Sequence, residues 1–133
     1  MRNSYLATDL RYHPAYEDML GPEPPMAFAS NGASFAPDVI LGWDIRPAAH
    51  YHDYHYSRLC DLYKKRDEWV RYISDWRFLQ NMRKCGLPWP FAWIYYARVR
   101  LWGHFFFTYS HGSKPRRTLK FWIKLLTGRY AQW

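Results

Sequence analysis

Asp75 stands on a helical stripe that is otherwise apolar. Tyr72, Asp75, Leu79 and Met82 recur at helix spacing, within a segment that also carries Trp69, Ile73 and Trp76. A carboxylate on a buried stripe is costly unless something donates to it. The chain must therefore bring a donor to Asp75 from elsewhere, and that requirement limits how its helices can pack. The helix itself is predicted from about Asp67 to Cys85. Asp67 and Glu68 suit its positive end, Arg83 and Lys84 its negative end, and Gly86 ends it.

The candidate donor lies upstream, in His52-Asp53-Tyr54-His55-Tyr56. Pro47 suits a first helical turn and Asp44 a nearby capping acceptor, so a helix is expected from about Arg46 to Lys64. Ala49, His52, Tyr56 and Leu59 fall on one stripe, with His52 and Tyr56 one turn apart. Two small residues, Ala48 and Ala49, let another element approach closely. Asp53 points about a quarter turn away from His52. If the two helices pack antiparallel, Asp75 returns to meet His52.

The remaining segments frame this pair. Residues 1–27 read as an N-terminal arm, broken by Gly21-Pro22-Glu23-Pro24-Pro25, that can contact a neighbouring subunit. Residues 28–48 read as a long loop with an Asn31-Gly32 turn. Leu87-Pro88-Trp89-Pro90 is a turn into a strongly aromatic third helix, Phe91 to about Tyr109, in which Gly103 permits close packing or a kink. A basic amphipathic tail, 111–133, holds a short helix near Arg117–Leu126. The expected fold is mainly α: two antiparallel central helices and a third aromatic one in a domain over 28–110, with the arm before it and the tail after it.

Charge is divided unevenly. Residues 1–75 carry eight Lys/Arg and eleven Asp/Glu, whereas residues 76–133 carry eleven Lys/Arg and no acid. That asymmetry points to an anionic partner, namely lipid head groups, nucleic acid or an acidic protein surface, or to packing against the acidic half. Aromatic residues make up 21% of the 133, enough apolar area to argue against disorder and to suit a membrane or partner surface. Cys60 and Cys85 form neither a disulfide framework nor a CxxC zinc pattern. No apolar signal core opens the sequence, and no uncharged run reaches the roughly 18 residues of a membrane span.

A histidine held by a carboxylate has one ring nitrogen fixed and the other available to take a proton from water. Asp53 could offer a carboxylate to a calcium ion, and the loop around Gly32 could add carbonyl oxygens. Such a set would support ester hydrolysis without a serine or cysteine nucleophile.

His52-Asp53-Tyr54-His55-Tyr56 resembles the H-D-x-x-Y helix motif of phospholipases A2, and the disulfide-poor viral type is the nearer comparison. The resemblance implies His52 as general base, Asp53 as calcium ligand, Tyr56 in the supporting hydrogen-bond network and Asp75 orienting the histidine. The Y-G-x-G calcium loop of those enzymes is absent; Gly32 stands alone in its loop. The chain also resembles a family of uncharacterised phage and prophage proteins over about residues 25–103. The shared order is Asn31-Gly32-Ala33-Ser34, then His52-Asp53-Tyr54-His55-Tyr56, then Asp75 with Phe78 and Met82, then Tyr96 to Gly103. That resemblance implies a location in the virion, in the host cytoplasm or at the inner membrane surface. Three functions follow: a calcium-dependent lipid hydrolase at a membrane, a non-catalytic tail or connector component touching neighbouring virion subunits, and non-specific nucleic-acid binding. The hydrolase predicts an open cleft at His52; the structural component predicts a covered one.

Overall fold

The computed structural model describes residues 10, 13–25, 28, 39–40, 42–57, 60, 65–110, 112, 116 and 118–127. The fold is mainly α. A two-residue antiparallel ladder, β1 (Val39–Ile40) with β2 (Trp43–Asp44), precedes α1 (Arg46–Tyr56), α2 (Glu68–Lys84), α3 (Trp89–Trp102) and α4 (Leu119–Thr127). The ladder pairs Val39 with Asp44 and Ile40 with Trp43, within the stretch expected as loop.

α1 opens as its sequence suggests. Pro47 sits in the first turn, and Asp44 Oδ1 accepts from the Arg46 backbone N–H at 3.1 Å. The helix is shorter than expected: it stops at Tyr56, where Ser57 turns extended, and does not run to Lys64. The physical reason lies far along the chain. The Arg66 guanidinium donates to the His55 carbonyl at 2.6 Å and to the Cys60 carbonyl at 3.0 Å, and Thr108 N–H donates to the Tyr56 carbonyl at 3.1 Å. The last carbonyls of α1 are therefore satisfied from outside the helix, and no further turn is needed to satisfy them. Leu59 lies outside the described residues.

α2 matches its expected bounds closely. Asp67 caps it, accepting from Val70 N–H at 3.2 Å, and Gly86 at φ +98° reverses the chain. α3 ends earlier than Tyr109. At Gly103 it tightens into a short 3₁₀ turn, Gly103–Phe105, because the Gly103 backbone lies directly against the Tyr56 hydroxyl and Arg71.

α1 and α2 run antiparallel. His52 meets Asp75 and stacks on Phe78, whereas Tyr56, one turn further on, reaches back to Arg71 as well. α2 and α3 are antiparallel too: Arg83 lies over Trp89, Trp76 touches Trp93, and Arg71 reaches Val99 and Arg100. The main core gathers Ile45, Ala48 and Tyr51 of the α1 region, Phe78, Leu79 and Met82 of α2, and Ala92 and Val99 of α3. Leu10, Ala15, Tyr16 and Met19 join the same core, so this part of the expected arm is packed into the domain. Asn81 clamps it there, accepting from Leu20 N–H at 2.7 Å and donating to the Leu20 carbonyl at 3.3 Å. α4 docks by Phe121, Trp122 and Leu125 against Leu101 and His104, leaving Leu119 and Ile123 exposed. Among the described residues no helix is long and apolar enough to cross a membrane.

Candidate functional site: a buried histidine–aspartate pair in a charged seam

Asp75 receives its donors at the junction of α1, α2 and α3. Its Oδ1 lies 2.8 Å from His52 Nε2 and accepts the Tyr56 hydroxyl at 2.5 Å. Its Oδ2 accepts from Arg100 Nη1 at 2.9 Å and Arg71 Nη1 at 3.3 Å. The carboxylate is fully buried. Burial alone would raise its pKa, but the His52 hydrogen bond and the two guanidinium charges outweigh it and hold the group down at about 2. Asp75 is therefore ionised at neutral pH and can only accept. The hydrogen between it and His52 must sit on Nε2, which leaves Nδ1 as the nitrogen with a lone pair.

The seam continues past Asp75. Arg71 forms a two-point pair with Glu68, at 2.6 and 3.0 Å, and donates to the Val99 and Arg100 carbonyls at 2.9 and 3.1 Å. Burial alone would lower the Arg71 pKa; Tyr56, Asp75 and Glu68 more than offset it and raise it well above the ordinary value. Tyr109 donates to Glu68 Oε1, and Arg100 Nη2 lies 3.8 Å from Glu68 Oε2. Two carboxylates and two guanidiniums thus face each other in a space that excludes solvent, with Glu68 and Arg100 each 5% exposed and Arg71 not at all. The Tyr56 hydroxyl is held well above its usual pKa, first by burial and then by the Asp75 charge, so it stays a donor.

His52 is held on several sides. Its ring stacks on Phe78 at 4.4 Å and lies 4.2 Å from the Tyr56 ring, and the residue is 3% exposed, so His52 is covered and does not line the open cleft expected of a hydrolase. His52, Asp75 and Tyr56, expected to act together, do meet. Asp53 lies one residue on, half-buried, and outside this seam as described. Gly32, its expected companion for calcium, lies outside the described residues. Among the described residues no three His, Cys, Asp or Glu side chains gather closely enough to hold a metal ion.

Three members of the seam were not expected. Arg71 and Glu68 sit at i−4 and i−7 from Asp75 on the same helix, an acid–base–acid spacing visible in the sequence. Arg100 is a charge in an aromatic helix, the same kind of anomaly that singled out Asp75. His55, expected to be an ordinary histidine, is 2% exposed and donates from Nε2 to the Pro22 carbonyl at 2.9 Å. Burial is the main reason its pKa falls to about 3, with the Pro22 bond opposing and the Arg77 and Arg66 charges adding to the fall.

Comparison with protein-family models, with curated proteins and with solved structures finds no match.

Proposed function

We propose that the protein is a phospholipase A2-like lipid hydrolase of phage or prophage origin, with His52 as general base, Asp75 as its orienting carboxylate and Tyr56 as a further donor to that carboxylate. One observation carries the reading. His52 Nε2 and the Tyr56 hydroxyl converge on the same Asp75 oxygen, which fixes the tautomer that presents Nδ1 as a base. In that tautomer a water molecule gives a proton to Nδ1 as its oxygen bonds to the ester carbonyl carbon. The imidazolium then returns the proton to the departing alkoxide as the carbon–oxygen bond breaks. Asp75, already ionised, steadies the imidazolium between these steps.

The test is fatty-acid release from anionic phospholipid vesicles, with calcium or chelator, by the wild type and by His52→Gln. Release by the wild type that is lost in His52→Gln supports the reading. Release that survives in the variant removes His52 as the base, and no release by folded, vesicle-bound wild type under either condition overturns the hydrolase.

A second reading is favoured by a specific observation. His52 is almost wholly covered, and Asp75 is engaged by two arginines as well as by the histidine. A non-catalytic virion component that keeps the seam as a three-helix fastening fits that closure. It predicts no release, together with a clear loss of stability in His52→Gln.

A further inference from the structure

The outer face of α2 and α3 carries a contiguous run of exposed apolar side chains; others stand at Trp102, Phe105 and Phe106 and on α4 at Leu119 and Ile123. Trp76 is 41% exposed, Trp89 44%, Trp93 47% and Ile94 53%. The three tryptophans form one chain of contacts, with Trp76 and Trp93 centroids 6.3 Å apart and Trp89 and Trp93 6.5 Å apart. A run of exposed aromatic and aliphatic side chains of this size marks a binding surface. Both acids of α2, Glu68 and Asp75, are turned into the seam. From Trp76 onward the sequence contains no acid, and exposed Lys84 and Arg98 lie at the margins.

We propose that this face docks on an anionic phospholipid surface, with Trp93 and Ile94 entering the head-group boundary and Lys84 and Arg98 contacting lipid phosphates. Charge decides against the face pairing with itself in a symmetric dimer, because it would meet its own cations with no acid to pair them. Ring geometry decides against a sugar polymer. Trp89 and Trp93 are inclined by 28°, but Trp76 and Trp93 are inclined at 65° and Trp93 and Tyr96 at 89°, so the aromatic run as a whole offers no common plane to successive flat rings. Ile94, among the most exposed apolar side chains, has no ring to stack on a base, whereas it loses water on entering lipid. Tryptophan suits the membrane boundary at many tilts, because one end of the ring is apolar and the other polar.

The basic amphipathic tail is not the face assigned here. α4 already spends Phe121 and Leu125 on contacts with the domain. The docking rests on the lipid reading of the site only for its purpose, since binding requires no turnover.

The experiment uses the full chain carrying His52→Gln, so that hydrolysis plays no part. Its co-sedimentation is measured with phosphatidylglycerol–phosphatidylcholine vesicles and with phosphatidylcholine vesicles alone. Binding to the anionic vesicles is expected, weakened about tenfold or more by Trp93→Ala, the value of one large apolar side chain leaving water. Lys84→Glu with Arg98→Glu should weaken it comparably, and both side chains are exposed, so this pair decides the matter if Trp93→Ala fails to fold. Ile123→Ser on α4 should change it less than about twofold. Equal binding by all variants, dependence on α4 instead, capture of single-stranded oligonucleotide in preference to vesicles, or self-association through the Trp93 face would each overturn the proposal. Vesicle binding without fatty-acid release by the wild type would leave the docking face intact and remove only the hydrolase.

Discussion

α2 and α3 present two opposite faces, and each carries what the other would ordinarily hold. On the inner side, toward α1, Glu68, Arg71, Asp75 and Arg100 are all buried. On the outer side Trp76, Trp89, Trp93 and Ile94 face solvent. Apolar groups on a surface are common, but charged groups this deep are not. The inner arrangement is stable only because each charge has its counter-charge within reach, although Arg100 Nη2, 3.8 Å from Glu68 Oε2, makes no hydrogen bond. The outer one gains free energy only when something removes it from water. The same two helices thus hold one region complete within the fold and another that is incomplete without a partner.

The largest expected effects come from opening the inner region. Asp75→Ala strands two guanidiniums, a histidine and a tyrosine hydroxyl in a dry space. It should cost about 3–5 kcal/mol, the usual loss when one partner of a buried ion pair is removed. Urea unfolding of the variant measures it, and a loss below about 1 kcal/mol would show that the seam contributes little net stability. Gly103→Ala tests the same region sterically. A Cβ there falls within contact distance of the Tyr56 hydroxyl and 3.1 Å from Arg71 Nη1, so a loss of about 1–3 kcal/mol is expected. A variant as stable as the wild type would mean that α3 can move off α1 without cost.

The sequence made part of this region legible and concealed the rest for identifiable reasons. Asp75 was conspicuous because an isolated carboxylate on an apolar stripe demands a donor, and the helical spacing of His52 supplied a candidate. The bounds of α2 were legible because Asp67, Arg83, Lys84 and Gly86 act locally. The end of α1 was not, because it is set by Arg66 and Thr108, and such long-range capping leaves no local mark. Arg71 and Arg100 were overlooked although each carried a signal. Arg71 stands at helix spacing between two acids, and Arg100 is a charge in an apolar helix. Neither signal is decisive by itself, because a charge on a helix is ordinarily solvated and only the packing shows that opposite charges from two helices bury one another. The exposure of the outer tryptophans left no mark in the sequence, because periodicity alone cannot tell which of two apolar faces is covered.

A pH experiment compares the inner region with its edge. His55 borders it, held against Gly21 and Pro22; Gly21 has φ +92°, and a Cβ there would come 2.6 Å from the imidazole. In the fold His55 has a pKa of about 3, against about 6.5 in the unfolded chain. Between those values the unfolded chain binds a proton that the folded one does not. Its contribution is therefore fully present above about pH 6.5 and lost as pH falls toward 3, with a slope approaching 1.4 kcal/mol per pH unit. Asp75 adds a loss only further down, below about pH 3.8, as the solution nears its folded pKa of about 2. Denaturant midpoints of the wild type and of His55→Gln separate the two. The wild type should lose stability from pH 6 to 4 and the variant should be nearly flat there; parallel curves would show that His55 takes up its proton within the fold.

The smallest effect belongs to the outer face. Trp93→Ala removes aromatic contacts with Trp76, Trp89 and Tyr96 but uncovers no buried charge. Its ring is already half in water, so only part of the cost of a buried tryptophan applies, about 1 kcal/mol or slightly more. Set against Asp75→Ala, this ratio is the sharpest form of the comparison. A region finished by the fold should register in stability, and one awaiting a partner should register in binding. If Trp93→Ala were to destabilise the chain as much as Asp75→Ala, the outer tryptophans would be a second core, and the distinction between the two faces would fail.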